Sequence, residues 1–488
     1  MCPDSRISHG LKKLQTSFLF TFLAVVFSSN LYATNLSVEN VRFVSRDDVL
    51  NTPLSVIFDL KWDNSWNNEK NHDAAWVFMK YTSYWDGHVK LKKEGHKVLQ
   101  NRIPDAPAPT IEVSEDGIGF FIYPSKSYRG DQNYKLQIMI DTSGQSFNRS
   151  MITKFKVFAL EMVYIPQGSF YLGSPDEAAI KRAALYKSDK DGNSRGLWKV
   201  ESDAAINIGP NDNELYYWSE TVIYNGDQKG PLPAEYPKGY DAFYIMKYEL
   251  TQGQYADFLN GLPGQWTYER SPIGGKTYHK NRGTIRVYED KYVASVPNRP
   301  MNYVGFTDGL AFSDWAGLRP MTELEYTKAA RGPRVPVAAE FVWGTNNYDL
   351  LERYVNDYSD LTLSESYEEE ELNDENLAKF GASYYWVMDM SGSVWEKVIT
   401  VGNPIGRAFK GTHGDGMLDF GEATNEDWPK SDNEVGGFGY RGGGYYSPGT
   451  YYSDFNPHSP TGYRYYGAWS GGPRSIAYGY RAGRTAGK

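Results

Sequence analysis

The chain contains a single cysteine among its 488 residues, and that cysteine stands at position 2. A disulfide framework needs at least a pair of cysteines, and a thiolate zinc site needs more than one. Both are therefore excluded, so apolar burial and hydrogen bonds have to hold the fold, with or without bound cations. The hydrophobic content of 40% is sufficient for this and excludes wholesale disorder. The length indicates two or three domains rather than one core.

The composition also excludes a nucleic-acid-binding role. The formal net charge is −9, whereas a nucleic-acid binder needs a basic face. Charged residues make up 23% of the chain, an ordinary share that does not indicate a coiled coil. The 48 Gly, 25 Pro and 39 Tyr residues favour a loop-rich, aromatic and mostly non-helical protein.

The first 33 residues are typical of a secretory signal peptide. Arg6, Lys12 and Lys13 provide the positive charge, Phe18 to Phe27 form a ten-residue apolar run, and Ala33 is a small residue at the cleavage position. The run is too short to span a bilayer, and no other segment is long and apolar enough, so no transmembrane segment is expected. We therefore expect the protein to act outside the cytoplasm, either in the periplasm or as a secreted protein.

Residues 34–160 are expected to form an all-β domain. Apolar and polar residues alternate from Leu54 to Trp62, from Tyr134 to Ile140 and from Phe155 to Ala159, which is the pattern of half-buried strands. Turn signals lie between them at Asp86-Gly87 and Asp116-Gly117. Short strands at this spacing predict a sandwich of immunoglobulin or fibronectin type, acting as a spacer or docking module.

Residues 161–488 differ from this pattern and contain three predicted helices among long irregular loops. Thr251, Thr307 and Thr322 are the expected N-caps, and Glu325 stands three residues after Thr322 in the spacing of a capping box.

The third of these helices, which begins after Thr322, is expected to be amphipathic. Leu324, Ala329 and Ala330 are predicted to face the core, whereas Glu323 and Lys328 are predicted to face water.

Several short strings in this second part occur in a fixed order. They are Met162-Val163-Tyr164-Ile165-Pro166-Gln167-Gly168-Ser169-Phe170, Tyr248-Glu249-Leu250-Thr251, Arg299-Pro300-Met301-Asn302-Tyr303-Val304, Arg319-Pro320-Met321-Thr322-Glu323-Leu324-Glu325-Tyr326, Asp389-Met390-Ser391-Gly392-Ser393-Val394-Trp395-Glu396, Arg441-Gly442-Gly443-Gly444 and Gly479-Tyr480-Arg481. Together they resemble the formylglycine-generating enzyme family, also called sulfatase-modifying factors. The resemblance implies the family's C-type-lectin-like α+β fold with little regular structure for residues 161–488.

The resemblance also implies a calcium site at Ser393 and Glu396, because the family's Trp-Glu strand helps to hold this ion. Calcium takes six to eight hard oxygen ligands, which a carboxylate and loop carbonyls supply. Ser393 stands where the family usually has asparagine, and serine is a shorter and poorer ligand. The alternative is a buried Glu396 hydrogen-bonded to backbone amides.

The family's oxidase converts a substrate cysteine to formylglycine with a pair of its own cysteines, which hold copper(I) just after the Arg-Gly-Gly string. In this chain the corresponding residues, Tyr445 to Ser453, include no cysteine. Copper(I) requires soft thiolate ligands, and the hydroxyls of Ser447 and Ser453 are hard and barely acidic. Copper is therefore not expected, and the sequence favours a protein that is not an enzyme.

Histidines leave one catalytic alternative open, because some relatives are described as non-haem iron enzymes. No two histidines have the i, i+4 spacing of a helical metal site. His413 and His458 can still converge in space with Asp415 or Asp454, which would give a metal-dependent oxidoreductase.

The last fifty residues favour ligand recognition. Ten tyrosines lie between Tyr440 and Lys488, and tyrosine offers a large rigid face with one polar tip at small entropic cost. The candidate ligand-binding residues, for a carbohydrate or a protein ligand, are Tyr445, Tyr463, Arg464, Tyr466 and Trp469. The alternative is that these rings form the packing core.

Three functions therefore stay open for this sequence. The first is a secreted binding or assembly module that lacks the family's catalytic cysteines. The second is the metal-dependent oxidoreductase, and the third is a structural subunit of a bacterial envelope complex.

Overall fold

The computed structural model describes residues 36–44, 54–82, 86–143, 152–218, 226–274, 277–347, 349–355, 361–363, 369–429, 436–444, 459–471 and 474–487. The expected signal peptide, Tyr445, Asp454 and His458 lie outside the described residues.

The first part of the chain consists of strands. They are β1 (Ser37–Phe43), β2 (Ser55–Asn67), β3 (Asp73–Thr82), β4 (Asp86–His88), β5 (Lys97–Asn101), β6 (Pro109–Val113), β7 (Gly119–Pro124), β8 (Tyr128–Met139) and β9 (Lys154–Ile165). The three alternating segments of the sequence form β2, β8 and β9, so their prediction as strands is confirmed.

The second part contains shorter strands. They are β10 (Phe170–Leu172), β11 (Tyr186–Lys187), β12 (Trp198–Val200), β13 (Ile206–Ile208), β14 (Leu215–Tyr216), β15 (Gly230–Leu232), β16 (Phe243–Met246), β17 (Ile285–Tyr288), β18 (Lys291–Ala294), β19 (Arg319–Pro320), β20 (Arg353–Val355), β21 (Leu361–Leu363), β22 (Trp395–Ile399), β23 (Leu418–Asp419), β24 (Glu422–Ala423), β25 (Phe438–Arg441), β26 (Tyr478–Gly479) and β27 (Ala482–Thr485).

The α-helices are α1 (Glu177–Lys181), α2 (Gln252–Asn260), α3 (Gly264–Arg270), α4 (Phe306–Trp315), α5 (Glu323–Arg331), α6 (Leu377–Phe380) and α7 (Pro404–Arg407). Short 3-10 turns cover Tyr278–Lys280, Glu369–Glu371 and Asp374–Asn376. The architecture is sheet-rich with few helices, as expected for an α+β protein.

Two large sheets organise the described residues. One has four strands in the order β1-β2-β8-β5, and the other has eight, in the order β19-β27-β16-β9-β3-β7-β6 with β4 paired to β3. Between them lies an apolar core that includes Val56, Phe58 and Leu60 of β2, Val77 of β3 and Phe120 of β7. Two sheets sharing one core are compatible with a sandwich, and its immunoglobulin or fibronectin type stays a prediction.

The larger sheet joins the first part of the chain to the second. Strand β9 continues through residue 160, where the sequence suggested a domain boundary, and pairs with β3 on one side and β16 on the other. Phe243 of β16 lies opposite Ile165 of β9, and β16 in turn pairs with β27 near the end of the chain. The boundary stays a prediction, but hydrogen bonds cross the sheet on both sides of it.

The expected N-caps of α2 and α5 are confirmed, and that of α4 is wrong. Thr251 and Thr322 each form a full capping box, the latter with Glu325. Helix α4 instead begins after Gly305, whose backbone N–H donates to Asp308 at 2.7 Å. Asp308 supplies the cap carboxylate, so the helix gains a stabilising side chain without using Thr307.

The predicted polar face of α5 is also wrong. Glu323 is fully buried and Lys328 is 1% exposed. Glu323 accepts hydrogen bonds from Arg464, and the ammonium of Lys328 donates to the carbonyl of Gly168 and lies over the ring of Phe170. Buried partners from distant segments therefore replace the water that the amphipathic pattern predicted.

Among the described residues, no helix is long and apolar enough to cross a membrane.

Candidate functional site

A three-stranded sheet carries Glu396, one of the two residues predicted as calcium ligands. Strand β22 pairs antiparallel with β25 and parallel with β26. Trp395, Glu396 and Lys397 follow one another on β22, and Arg441 ends β25. The loop in which the family's oxidases have their cysteines would begin directly after β25.

Six aromatic side chains, which we call the aromatic cluster, pack beside this sheet. The rings of Trp395 and Tyr466 lie 5.3 Å apart at a near right angle, and Tyr466 lies 5.5 Å from Trp469. Tyr440 lies 4.6 Å from Tyr478 and 5.6 Å from Trp469. The cluster consists of Trp395, Tyr440, Tyr465, Tyr466, Trp469 and Tyr478.

One side of the aromatic cluster is buried and the other is partly open. Trp395 is 3% exposed and Tyr440 1% exposed, whereas Tyr465, Tyr466, Trp469 and Tyr478 are half-buried. The structure therefore brings two predicted ligand-binding residues, Tyr466 and Trp469, into direct contact at a surface. Neither of the two interpretations of the sequence, core or surface, describes these rings completely.

Tyr463 and Arg464 lie next to this cluster in the chain but contact other groups. Tyr463 is half-buried, with the guanidinium of Arg182 over its ring at 5.4 Å. Arg464 is 2% exposed and donates from Nε and Nη2 to the carboxylate of Glu323 at 2.6 and 2.8 Å. Its Nη1 donates to the carbonyl of Ala183, and the guanidinium lies over the ring of Tyr217. The geometry points Arg464 into the protein rather than toward a ligand.

Glu323 connects helix α5 with Arg441 and Arg464. In addition to Arg464, it accepts hydrogen bonds from the hydroxyl of Thr400 and the backbone N–H of Val401, and Arg441 lies 3.5 Å away. Burial alone would raise the pKa of Glu323, but the charges and hydrogen bonds of the arginines outweigh burial and lower it. Glu323 is therefore held as a buried anion.

Lys397 lies directly beneath the aromatic cluster, a position that sequence analysis missed. It is fully buried, its ammonium donates to the carbonyl of Val304 at 2.6 Å, and it lies 5.1 and 4.8 Å from the ring centres of Tyr440 and Tyr478. Burial lowers the pKa of Lys397 to about 7. Two adjacent charged residues, Glu396 and Lys397, within the otherwise apolar segment Val394 to Ile399 were the available signal.

Glu396, predicted as a calcium ligand, is paired with an arginine. Both of its carboxylate oxygens accept hydrogen bonds from Arg481, at 2.9 and 2.8 Å, and both side chains are fully buried. The remaining donors of Arg481 reach the carbonyls of Met246, Lys247 and Met388. The carboxylate of Glu396 therefore binds Arg481 in the described structure, and not the set of backbone amides that the sequence left as the alternative.

Ser393 lies near a second buried acid, Glu249, that sequence analysis did not single out. Oε1 of Glu249 accepts a hydrogen bond from the N–H of Val394 at 3.0 Å, and the side chain of Ser393 interacts with the same carboxyl group. Burial and the charges of Asp389 and Glu396 raise the pKa of Glu249 well above its usual value.

These residues supply few side-chain oxygens to a cation. Both oxygens of Glu396 are engaged, and within the described ranges no group of three His, Cys, Asp or Glu residues has metal-binding geometry. Calcium needs six to eight oxygens, so the arrangement as it stands does not favour it. Calcium binding stays a prediction.

His413, the described member of the predicted histidine pair, is buried and hydrogen-bonded within the fold. Nε2 of His413 accepts a hydrogen bond from the N–H of Thr485 at 3.1 Å, and burial together with Arg484 and Arg319 lowers the pKa of His413 well below its usual value. His458 and Asp454 lie outside the described residues, so the proposed His413–His458 metal pair stays a prediction.

A comparison with known protein families identifies the family to which the chain belongs. The family model FGE-sulfatase, described as the Sulfatase-modifying factor enzyme 1-like domain, matches residues 199–448, just over half of the chain. The chain belongs to this family. The match includes α5, β22 and β25 and ends within the cysteine-free stretch that follows β25. No curated protein matches the chain.

Proposed function

We propose that this member of the sulfatase-modifying-factor family is a non-catalytic recognition module that acts outside the cytoplasm and binds its ligand at the aromatic cluster. One observation carries the non-catalytic part of the proposal. The chain has no cysteine after residue 2, although the motifs that flank the family's cysteine pair are present.

The chemistry of the missing groups supports this conclusion. Copper(I) is held by soft thiolates, and a serine hydroxyl is neither soft nor ionised at neutral pH. Ser447 and Ser453 therefore cannot replace the cysteine pair as copper ligands. A substrate cysteine would meet no bound copper and no thiol with which to exchange.

The partly open side of the aromatic cluster supports the recognition part of the proposal. Tyr466, Trp469 and Tyr478 each combine a large apolar ring with one polar atom, a combination suited to stacking on sugar rings. The cluster is also preorganised, because the hydroxyl of Tyr440 donates to the carbonyl of Gly471 at 2.7 Å and Trp395 supports Tyr466 from below. Preorganised rings lose little conformational entropy on binding. We favour a carbohydrate ligand over a protein ligand because Arg464 is engaged internally.

A glycan array with the purified mature protein tests this proposal. Tyr466→Ala and Trp469→Ala should each weaken binding at least about tenfold, the effect expected for an aromatic anchor. Tyr288→Ala is the matched control, since Tyr288 is 68% exposed on the β17–β18 hairpin, and it should leave binding unchanged.

Two results would contradict the proposal. If both cluster variants bind glycans as tightly as the wild type, the aromatic cluster is not the ligand surface. If the purified protein contains stoichiometric copper or iron, the metal-dependent oxidoreductase becomes the better account.

A further inference from the structure

Three buried or partly buried arginines in this domain bind a carboxylate in the same way. Nε and Nη2, whose hydrogens point along one edge of the guanidinium, both donate to a single carboxylate. Arg464 binds Glu323 in this way, Arg474 binds Asp308 at 2.6 and 2.7 Å, and Arg481 binds Glu396.

Arg441 does not bind a carboxylate along this edge. It is 2% exposed, and its Nη2 donates to the carbonyl of Thr461 at 2.7 Å and to the hydroxyl of Thr327 at 3.3 Å. Its Nε has no hydrogen-bond partner in the described structure. The edge that binds a carboxylate in the other three arginines is therefore only half used.

A second unpaired group belongs to a residue that contacts Arg441. The hydroxyl of Thr461 also has no hydrogen-bond partner in this part of the structure, and Thr461 is 2% exposed. Its own carbonyl accepts the hydrogen bond from Nη2 of Arg441, so the two residues are in direct contact. Buried donors without acceptors are rare in native proteins, so two of them in contacting residues indicate a missing partner.

The local charge shows what kind of partner is missing. Arg331 pairs with Glu340, and Arg464 binds both oxygens of Glu323. Arg441 is left with only the 3.5 Å contact to Glu323, so this group of three arginines has two carboxylates. One buried positive charge lacks its own counter-ion, and burial lowers the pKa of Arg441 to about 10.

We propose that Nε of Arg441 and the hydroxyl of Thr461 bind a small anion, of the size of chloride or formate. An anion supplies the acceptor that both donors lack and neutralises the excess guanidinium charge. A bound water would satisfy the donors but not the charge. This site is independent of the aromatic cluster and of the proposed ligand.

Thermal unfolding of the mature protein in different salts tests the anion site. At constant ionic strength, replacing gluconate with chloride should raise the Tm saturably, by roughly 2 °C. Thr461→Val removes the hydroxyl at similar size and should abolish this shift, whereas Thr461→Ser keeps the hydroxyl and should retain it. Thr267→Val is the matched control, because the Thr267 hydroxyl donates to backbone carbonyls elsewhere, so its chloride shift should equal that of the wild type.

An equal Tm in chloride and gluconate would overturn the proposal and indicate that water satisfies these donors. If Thr461→Val does not fold, crystals of the wild type soaked in bromide give the deciding observation. An anomalous peak within hydrogen-bond distance of Nε of Arg441 supports the site, and the lack of a peak there overturns it.

Discussion

Strands β2 and β22 show two different ways of filling a protein interior. Strand β2 buries Val56, Phe58 and Leu60 against other apolar side chains. On strand β22 the consecutive residues Glu396 and Lys397 are both buried, and each side chain needs partners from distant segments. The first arrangement depends on the amount of apolar area removed from water, whereas the second depends on the presence of each partner.

Because of this difference, the two parts of the chain are expected to tolerate different substitutions. An apolar core loses stability in proportion to the volume removed. A buried ion pair fails when one partner is lost, but it tolerates the replacement of both. Substitutions in the buried ion pair and in the apolar core can therefore distinguish the two arrangements.

The largest effect is expected from Arg481→Met. It leaves the carboxylate of Glu396 buried without its partner and should lower the free energy of unfolding by about 3–5 kcal/mol. The double variant Arg481→Met, Glu396→Met should recover the part of this loss that comes from the unpaired carboxylate, but not the part that comes from the carbonyls of Met246, Lys247 and Met388, which still lack their donor. Urea denaturation of the three proteins measures the effect, and a double variant as unstable as the single one would contradict our assignment of the pair.

Leu60→Ala tests the apolar side of the comparison. It should lower the free energy of unfolding by about 2–5 kcal/mol, and no second substitution of a polar partner is expected to restore it. Because β9 and β16 belong to one sheet, calorimetry should still show a single transition that is shifted to lower temperature. Two separate transitions, with only one of them shifted, would show that the shared sheet does not couple the two parts.

A smaller, pH-dependent effect is expected from Lys397→Met. The pKa of Lys397 is lowered to about 7 in the folded protein, so between about pH 7 and 10 the unfolded chain holds more protons at this lysine. The stability of the wild type relative to the variant should therefore rise with pH, by at most about 1.4 kcal/mol per pH unit. Urea denaturation at pH 6, 7.5 and 9 measures this difference, and a difference that is constant over this range would contradict the buried ammonium.

The same contrast explains how much the sequence could predict. The alternation in β2, β8 and β9 and the capping boxes at Thr251 and Thr322 are local signals, so these elements were predictable. Glu323 and Lys328 were assigned to the surface because their buried partners lie far away in the sequence. Helical periodicity carries no information about such partners.

The candidate site shows the same limit. The motif around Trp395 located the strand. Glu396, however, pairs with Arg481, which lies 85 residues further along the chain. Likewise, the role of Arg464 follows from Glu323 and not from its aromatic neighbours in the chain. Charge pairing across the fold was the missing information in both cases.

The chain belongs to the sulfatase-modifying-factor family, and we propose that it lacks the family's thiol-dependent oxidation. In the most direct test, the purified mature protein is incubated with copper(I), oxygen and a cysteine-containing sulfatase peptide. The peptide is then analysed by mass spectrometry. A family member that retains both cysteines serves as the positive control. We predict an unmodified cysteine in the presence of this protein, and formylglycine formed at a rate comparable with the control would contradict the account.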